Sequence, residues 1–318
     1  MELIRGLHNL RQRHRGCVLS IGKFDGVHLG HVAVLTKLVA QARAMQLPSA
    51  VMVFEPQPEE LFMPDKAPAR LTRLREKYMA MQNLGVDRLI CVRFNRQFAN
   101  QPAEYFVEQL LVQKLGIQYL VVGDDFRFGK GRTGDFALLQ AEGKECGFDV
   151  VNTQSFCLGQ DRISSSAIRQ ALAKNELTLA KQMLGRDFSI SGRVVHGDKR
   201  GRTIGFPTAN VLLKRCKSPV SGVYAVNVVW NGNQHAGIAN VGNRPTVEGT
   251  RAQLEVHLFD FNADLYGQFI EVRLLSKIRE EQKFPSVTAL QQQIDADVLV
   301  AKNWFSQNEK TITEHQVR

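Results

Sequence analysis

Short apolar runs and longer stretches of helical spacing alternate through the first half of the chain. Cys17 to Ile21, Ala50 to Phe54, Arg88 to Phe94, Tyr119 to Val122 and Phe148 to Val151 read as strands. Between them, Gly30 to Met45, Leu71 to Leu84 and Asp135 to Cys146 read as helices. A further helix carries Pro102 near its first turn and an apolar face of Ala103, Phe106, Val107, Leu110 and Leu111. This βαβα order predicts a parallel sheet with helices on both faces. Such sheets bind ligands at the carboxyl ends of their strands.

After Gly185 the pattern changes. Ile190 to Val195, Val223 to Trp230, Gln234 to Val241, Gln253 to Phe259 and Phe269 to Leu275 are rich in Val, Ile and aromatic residues and read as strands. Turns such as Asn231-Gly232 punctuate them. One helix follows, with Ser286 as its cap and Val287, Leu290, Ile294, Val298, Ala301 and Phe305 on one face. Five or six strands and a packing helix predict a small barrel. The fold class is therefore α/β plus all-β, in two domains, 1–185 and 186–318. A chain of 318 residues is in any case too long for most single cores.

Composition adds little to this. Apolar content of 44% and charged content of 23% are ordinary for a globular protein. No apolar run approaches the ~20 residues needed to span a bilayer. Met1 to Leu10 shows no secretory apolar region, so the cytoplasm is the expected compartment. The five scattered cysteines include no CxxC pair, which favours reduced, mostly buried thiols over disulfides or zinc. The net charge of +10 divides between the halves: 24 Lys and Arg against 18 Asp and Glu through Gly185, and 17 against 13 beyond it. Diffuse positive charge suits nucleotides as well as nucleic acid. An RNA-binding or RNA-modifying protein is the rival reading, but no aromatic-basic RNA-binding signature supports it.

Four loops fall at the carboxyl ends of predicted strands, or directly after them. The first, Gly22-Lys23-Phe24-Asp25-Gly26-Val27-His28-Leu29-Gly30-His31, leads into a helix N-terminus, where free N–H groups and the helix dipole favour phosphate. Gly22, Gly26 and Gly30 permit close backbone approach, and Asp25 stands among them. His28 and His31 can donate to phosphate oxygens that gain charge in a transition state; the plainer reading is two ordinary histidines. A metal is less favoured, for want of a third ligand at useful spacing. The second loop, Phe54-Glu55-Pro56-Gln57-Pro58, offers a rigid apolar wall. The third, Gly123 to Gly129, sets Phe126 and Phe128 on either side of Arg127, for core packing or for stacking on a flat ring. The fourth, Ile163 to Arg169, carries Ser164, Ser165, Ser166 and Arg169, as helix caps or as a phosphate clamp.

These four motifs resemble those of the bacterial FAD synthetases. The resemblance implies a Rossmann-like nucleotidylyltransferase domain with His28 and His31 on the ATP phosphates. It also implies Ser164, Ser165 and Arg169 holding phosphate, and Phe54 to Pro58 with Asp125, Phe126 and Phe128 near the isoalloxazine. Asp125 stands where some relatives carry Asn. The chemistry agrees: a phosphomonoester attacking the α-phosphate of ATP is already ionised near neutral pH and needs positioning, with no general base.

In the second half, a basic Gly-rich loop from Gly192 to Arg202 runs into Gly205-Phe206-Pro207-Thr208-Ala209-Asn210. In extended backbone Thr208 and Asn210 point the same way and offer two neutral oxygens to Mg²⁺, which completes its shell with water and phosphates. A solvated loop and a turn are the plainer readings. Glu255 lies in Gln253 to Phe259, on the face opposite Leu254, Val256 and Leu258.

This half resembles the riboflavin kinase module, and the match continues through Gly222-Val223-Tyr224, Asp264 to Gly267 and Ile278 to Phe284. The implication is a six-stranded barrel that phosphorylates the ribityl hydroxyl of riboflavin. Gly197, Lys199 and Gly201 would lie on ATP, Thr208 and Asn210 on Mg²⁺, and Arg279 and Phe284 near the flavin. A neutral alcohol profits from a base, and Glu255 is the candidate. The expected partners are riboflavin, FMN and ATP, with no nucleic acid, no membrane and at most a weak homo-oligomer. A chain with one active domain and one flavin-sensing domain is a second rival.

Overall fold

The computed structural model describes all residues except 154–156, 159–160, 198–204, 214–216, 247–248 and 315–318. Lys199 and Gly201 therefore lie outside the described residues. The chain forms two compact units, one of Met1–Pro68 with Thr72–Ser165, the other of Ala69–Leu71 with Ser166–Arg318.

In the first unit, β1 (Glu2–Arg5) and β2 (Cys17–Ile21) precede α1 (Leu29–Ala44). Then come β3 (Ser49–Glu55), α2 (Pro58–Phe62), α3 (Leu74–Asn83), β4 (Arg88–Arg93) and α4 (Arg96–Ala99). The short α5 (Ala103–Tyr105) continues as a π-helix, Phe106–Leu115. β5 (Ile117–Val122), α6 (Phe136–Cys146) and β6 (Asp149–Asn152) complete the sheet, and a hairpin of β7 (Cys157–Leu158) and β8 (Asp161–Arg162) follows. All six sheet strands are parallel, in the order β1-β4-β3-β2-β5-β6. A parallel sheet covered on both sides needs strands apolar on both faces. β2 is buried at every position. Leu19, Ile21, Met52 and Ile90 pack on one side, Val18, Val51, Val53 and Leu89 on the other. The chain reverses direction across the sheet between β2 and β5, the switch point where such folds open a crevice.

The second unit takes in α7 (Ser165–Ala173) from Ser166 onward and α8 (Leu177–Leu184). Its strands are β9 (Ser189–Val195), β10 (Ala209–Leu212), β11 (Gly222–Trp230), β12 (Asn233–Thr246), β13 (Gly249–Leu258) and β14 (Phe269–Arg279), and α9 (Val287–Glu314) ends it. The strands close into a barrel in the order β10-β13-β12-β11-β14-β9, which leaves no open edge. Asn231 and Gly232 both take positive φ in the β11–β12 hairpin, as a two-residue primed turn requires. The Ser286 hydroxyl accepts from the Ala289 N–H at 3.1 Å and caps α9. Ala301 and Val298 of that helix pack against Val223, Ala225 and Ile238 on the outside of the barrel.

The elements depart from the sequence expectations at definite places. β1 lies at the sheet edge, where two apolar residues between charged ones suffice. β10 is a strand, so Asn210 stands in a ladder and not in a turn. The third helix begins at Leu74, because Arg73 is extended as its N-cap and donates its N–H to Glu76 at 2.6 Å. The β7–β8 hairpin separates Ile163 from the last sheet strand, so the serine motif does not follow that strand directly. Val287 is exposed, so the apolar face of α9 engages the barrel only from its middle onward. Of the described cysteines, Cys17 and Cys91 are buried but Cys146 and Cys157 are exposed; all four are free. Burial pushes the Cys17 thiol up to about 12, with Arg88 opposing.

Gly222 has a φ of 109°, and a Cβ there would stand 2.5 Å from the Arg279 carbonyl oxygen on β14. Gly222→Ala therefore strains β11 and its pairing with β14. We expect a loss of roughly 2 kcal/mol or more, read from chemical denaturation of the barrel.

Candidate active sites

In the first unit the loop after β2 turns sharply. Phe24, Gly26 and Val27 all have positive φ, at 46°, 88° and 41°. That region is costly for a β-branched residue and persists only where the surroundings impose it. Asp25 supplies the constraint. Its Oδ1 accepts from the Thr72 N–H at 2.9 Å and the Thr72 hydroxyl at 3.2 Å, while the Gly26 N–H donates to that hydroxyl at 2.8 Å. The Ser165 hydroxyl donates to the Asp25 carbonyl at 2.8 Å. The described bonds of Asp25 and Ser165 thus shape the loop. Thr72 was not singled out from the sequence; only the fold brings it to a loop 46 residues away.

The loop delivers His28 to the N-cap of α1. Its Nδ1 accepts from the His31 N–H at 3.3 Å, which leaves the proton of the neutral ring on Nε2. The His28 and His31 rings stack, with centroids 3.6 Å apart and planes 19° apart, and Phe24 leans on His31 at 5.1 Å. Gly30 lies between them in the first helical turn. Gly22 packs under the Phe24 ring, 3.1 Å from the position of an added Cβ. The Nδ1 of His31 is buried and has no hydrogen-bond partner among the described residues. Burial, then His28, then the buried Lys77 ammonium hold the His31 imidazole well below its usual range. Lys77, on α3, was also missed from the sequence.

Farther along the strand ends, Phe54, Phe94 and Phe98 meet with centroids 5.7–6.0 Å apart. Phe98 touches Phe106 at 6.5 Å, and Phe106 touches Phe128 at 5.1 Å. Phe126 and Phe128 do share a side, stacked at 5.7 Å. Phe128 is buried in the core cluster, however, and only Phe54 and Phe126 of the three remain half-exposed. Pro56 follows a cis peptide bond and Pro58 opens α2. Asp125 is exposed and Ser164 half-buried. Arg169 falls in the other unit, where its Nε donates to the Ala69 carbonyl at 2.6 Å.

In the barrel, Asn210 of β10 pairs with Glu255 of β13, and Glu255 pairs with Asn240 of β12. Directly opposed residues on antiparallel strands share a face. The Gln253 amide donates both to the Asn210 carboxamide oxygen and to Glu255 Oε1, the latter at 3.1 Å. It is a tie between the two candidates that the sequence did not show. Gly197 packs on Asn210 so closely that an added Cβ would stand 2.4 Å from its Nδ2. Thr208 is half-buried, and its carbonyl accepts from that Nδ2 at 3.5 Å. The Asn210 carboxamide stands beside the Glu255 carboxylate, and carboxamide and hydroxyl oxygens are ligand types that fit Mg²⁺ arriving with nucleotide phosphates. No His, Cys, Asp and Glu cluster among the described residues offers an all-protein metal cage.

Arg279 is more constrained than the sequence indicated. Its Nε lies 2.9–3.0 Å from both carboxylate oxygens of buried Asp297 on α9, and its Nη2 lies 2.7 Å from Oδ2. Gln293 donates to the same carboxylate at 2.8 Å, and Arg279 lies over the Phe284 ring at 5.5 Å. A cavity of about 320 Å³ also opens in this unit, lined by Tyr224, Lys277, Glu280, Ser221 and Val241 among others. Lys277 is paired with Glu280 at 2.6 Å. Tyr224 donates to the Ser221 carbonyl, and burial beside Glu280 pushes its phenol up to about 12.

The FAD synthetase family matches residues 10–167 and the riboflavin kinase family residues 184–305. The bifunctional riboflavin kinase/FMN adenylyltransferase of Escherichia coli K12 is 59% identical over 96% of this chain and 98% of its own. The protein of that description from Haemophilus influenzae is 52% identical over 96% of this chain and 100% of its own. This chain belongs to the bifunctional riboflavin kinase/FMN adenylyltransferase family. It phosphorylates riboflavin to FMN and adenylylates FMN to FAD, with ATP as co-substrate in both steps. A Streptococcus pneumoniae structure titled a macrolide-efflux protein shares the fold at a TM-score of 0.77 and 31% identity, covering 96% of this chain and 100% of that one. Among the described residues of this enzyme, no helix is long and apolar enough to cross a membrane.

A histidine whose folded pKa is depressed contributes stability above its unfolded value, about 6.5, and that stability is lost as pH falls below it. In this enzyme His31 should therefore stay neutral at pH 6.5, where an exposed imidazole is half protonated. Nitrogen chemical shifts of labelled histidine check this, and a half-protonated His31 at that pH would contradict it.

Proposed function

We propose that the two reactions are divided between 1–185, which makes FAD, and 186–318, which makes FMN, with the site residues acting as follows. In the first, Nε2–H of His28 and the N-terminal N–H groups of α1 receive the ATP phosphates. Neutral His31 adds a donor without bringing a full charge into the buried stack. Ser164 contributes a hydroxyl, and Phe54 and Phe126 offer ring faces to the isoalloxazine. The attacking phosphate of FMN is already ionised, so the protein's task is to hold two anions together and stabilise departing pyrophosphate.

In the barrel, the observation that carries the reading is the Asn210–Gln253–Glu255 triad in adjacent strands. Asn210 and Thr208 would hold Mg²⁺, which neutralises charge on the transferring phosphoryl group. Glu255 accepts the proton of the ribityl hydroxyl as it attacks. Arg279, tied to Asp297 and lying over the Phe284 ring, positions that ring to meet the flavin. The compartment proposed is the cytoplasm, in keeping with the free thiols; neither nucleic acid nor membrane takes part, and self-association is weak at most.

Glu255→Gln keeps the shape but removes the proton acceptor. Kinase kcat should fall about 10²–10⁴-fold, with little change in riboflavin affinity and none in FAD formation from supplied FMN. A kcat within a few-fold of wild type would refute the assignment. Asn210→Ala should raise the Mg²⁺ needed for half-maximal kinase rate and leave adenylylation unchanged, as a metal titration of both steps would record.

A further inference from the structure

Strand pairing lines up one transverse row on the outside of the barrel. Asn210 stands opposite Glu255, Glu255 opposite Asn240, Asn240 opposite Val223, and Val223 opposite Arg279. The row crosses five strands, so it runs about 19 Å along the curved barrel surface at the usual ~4.8 Å strand spacing. One end holds the proposed metal and base. At the other, α9 covers the row, through Val298 and Ala301 near Val223 and through Asp297 on Arg279.

Asn240 is the one polar member of this row with no part in the chemistry described above. Its carboxamide oxygen is buried and has no hydrogen-bond partner among the described residues. Its neighbour two residues back on the same face, Ile238, is sealed under α9 in the apolar cluster. An acceptor withdrawn from water and left unpaired is destabilising, and native proteins rarely keep one without a purpose. An apolar residue would serve the barrel better.

We propose that Asn240 is a substrate-binding residue of the kinase step, whose carboxamide oxygen accepts a hydrogen bond from a secondary hydroxyl of the ribityl chain. This rests on Glu255 as the base for the terminal hydroxyl. With that hydroxyl at Glu255, the neighbouring hydroxyl-bearing carbons pass over the adjacent strand, where Asn240 stands directly opposite. A neutral acceptor suits a row that already holds a carboxylate and brings in phosphates, since a second carboxylate would repel them. The residue then selects a polyhydroxylated side chain over an apolar one, because an analogue without the hydroxyl leaves the buried oxygen unpaired.

The test uses the full-length enzyme with riboflavin and with monodeoxyribityl flavins, each lacking one secondary hydroxyl. In wild type, one of these analogues should lose about tenfold in kinase kcat/KM, the size of one hydrogen bond to a buried group. Asn240→Ala should lose about as much with riboflavin and nothing further with that analogue. Equal discrimination by Asn240→Ala and wild type against every analogue would overturn the proposal. If circular dichroism shows Asn240→Ala unfolded, Asn240→Ser, whose shorter side chain withdraws the acceptor, answers the same question: weakened discrimination supports the role and full discrimination overturns it. Glu255→Gln, run in parallel, should lose kcat while keeping wild-type discrimination. An undiminished kcat there would remove the base assignment, and the Asn240 comparison would still stand or fall on its own result.

Discussion

Backbone pairing among β10, β13, β12, β11 and β14 admits one register once the barrel is closed. A slip of one residue in β13 would turn Leu254, Val256 and Leu258 outward and drive Glu255 into the core. The hydrophobic interior thereby sets the position of polar groups on the opposite face. Asn210, Glu255, Asn240 and Arg279 stand in one row because their apolar neighbours must stand inside. Gln253 and Asp297 then restrain the side chains, one tying Asn210 to Glu255, the other holding Arg279 against α9.

The first unit reaches precision by a different route. Its reactive segment is a loop, and a loop with Phe24 and Val27 in left-handed conformations does not hold itself. The buried Asp25–Thr72 bonds impose the turn, and the turn places His28 as the cap of α1. The cap bond in turn fixes which nitrogen of His28 carries the proton. A carboxylate that resembles a phosphate-site residue is thus engaged one layer behind the histidines.

The two sites differ as their nucleophiles differ. An ionised phosphate needs no base, and the first site offers stacked imidazoles and helix N–H groups. A neutral alcohol does, and the barrel pairs the Glu255 carboxylate directly with Asn210. Burial lowers the His31 pKa and so limits the charge at the first site. In the barrel, the Gln253 amide donates to the Glu255 carboxylate and ties it to Asn210.

Apolar periodicity was enough to read a parallel sheet, a small barrel and its packing helix, though it passed over β1 and β10, because strands buried on both faces, alternating strands and amphipathic helices each leave a different pattern in the chain. The candidate loops were legible for a related reason: glycines, paired histidines and the Thr208–Asn210 spacing act through local backbone geometry. What sequence could not supply were contacts between distant segments. Thr72 bracing Asp25, Lys77 beside His31, Gln253 bridging Asn210 and Glu255, and Asp297 gripping Arg279 are ordinary polar residues in their own neighbourhoods. Phe128 and Phe126 are likewise indistinguishable until packing buries one and leaves the other half-open. Those distinctions belong to the tertiary structure, because burial and partner are properties of a side chain's surroundings, which only the closed sheet and barrel bring into being.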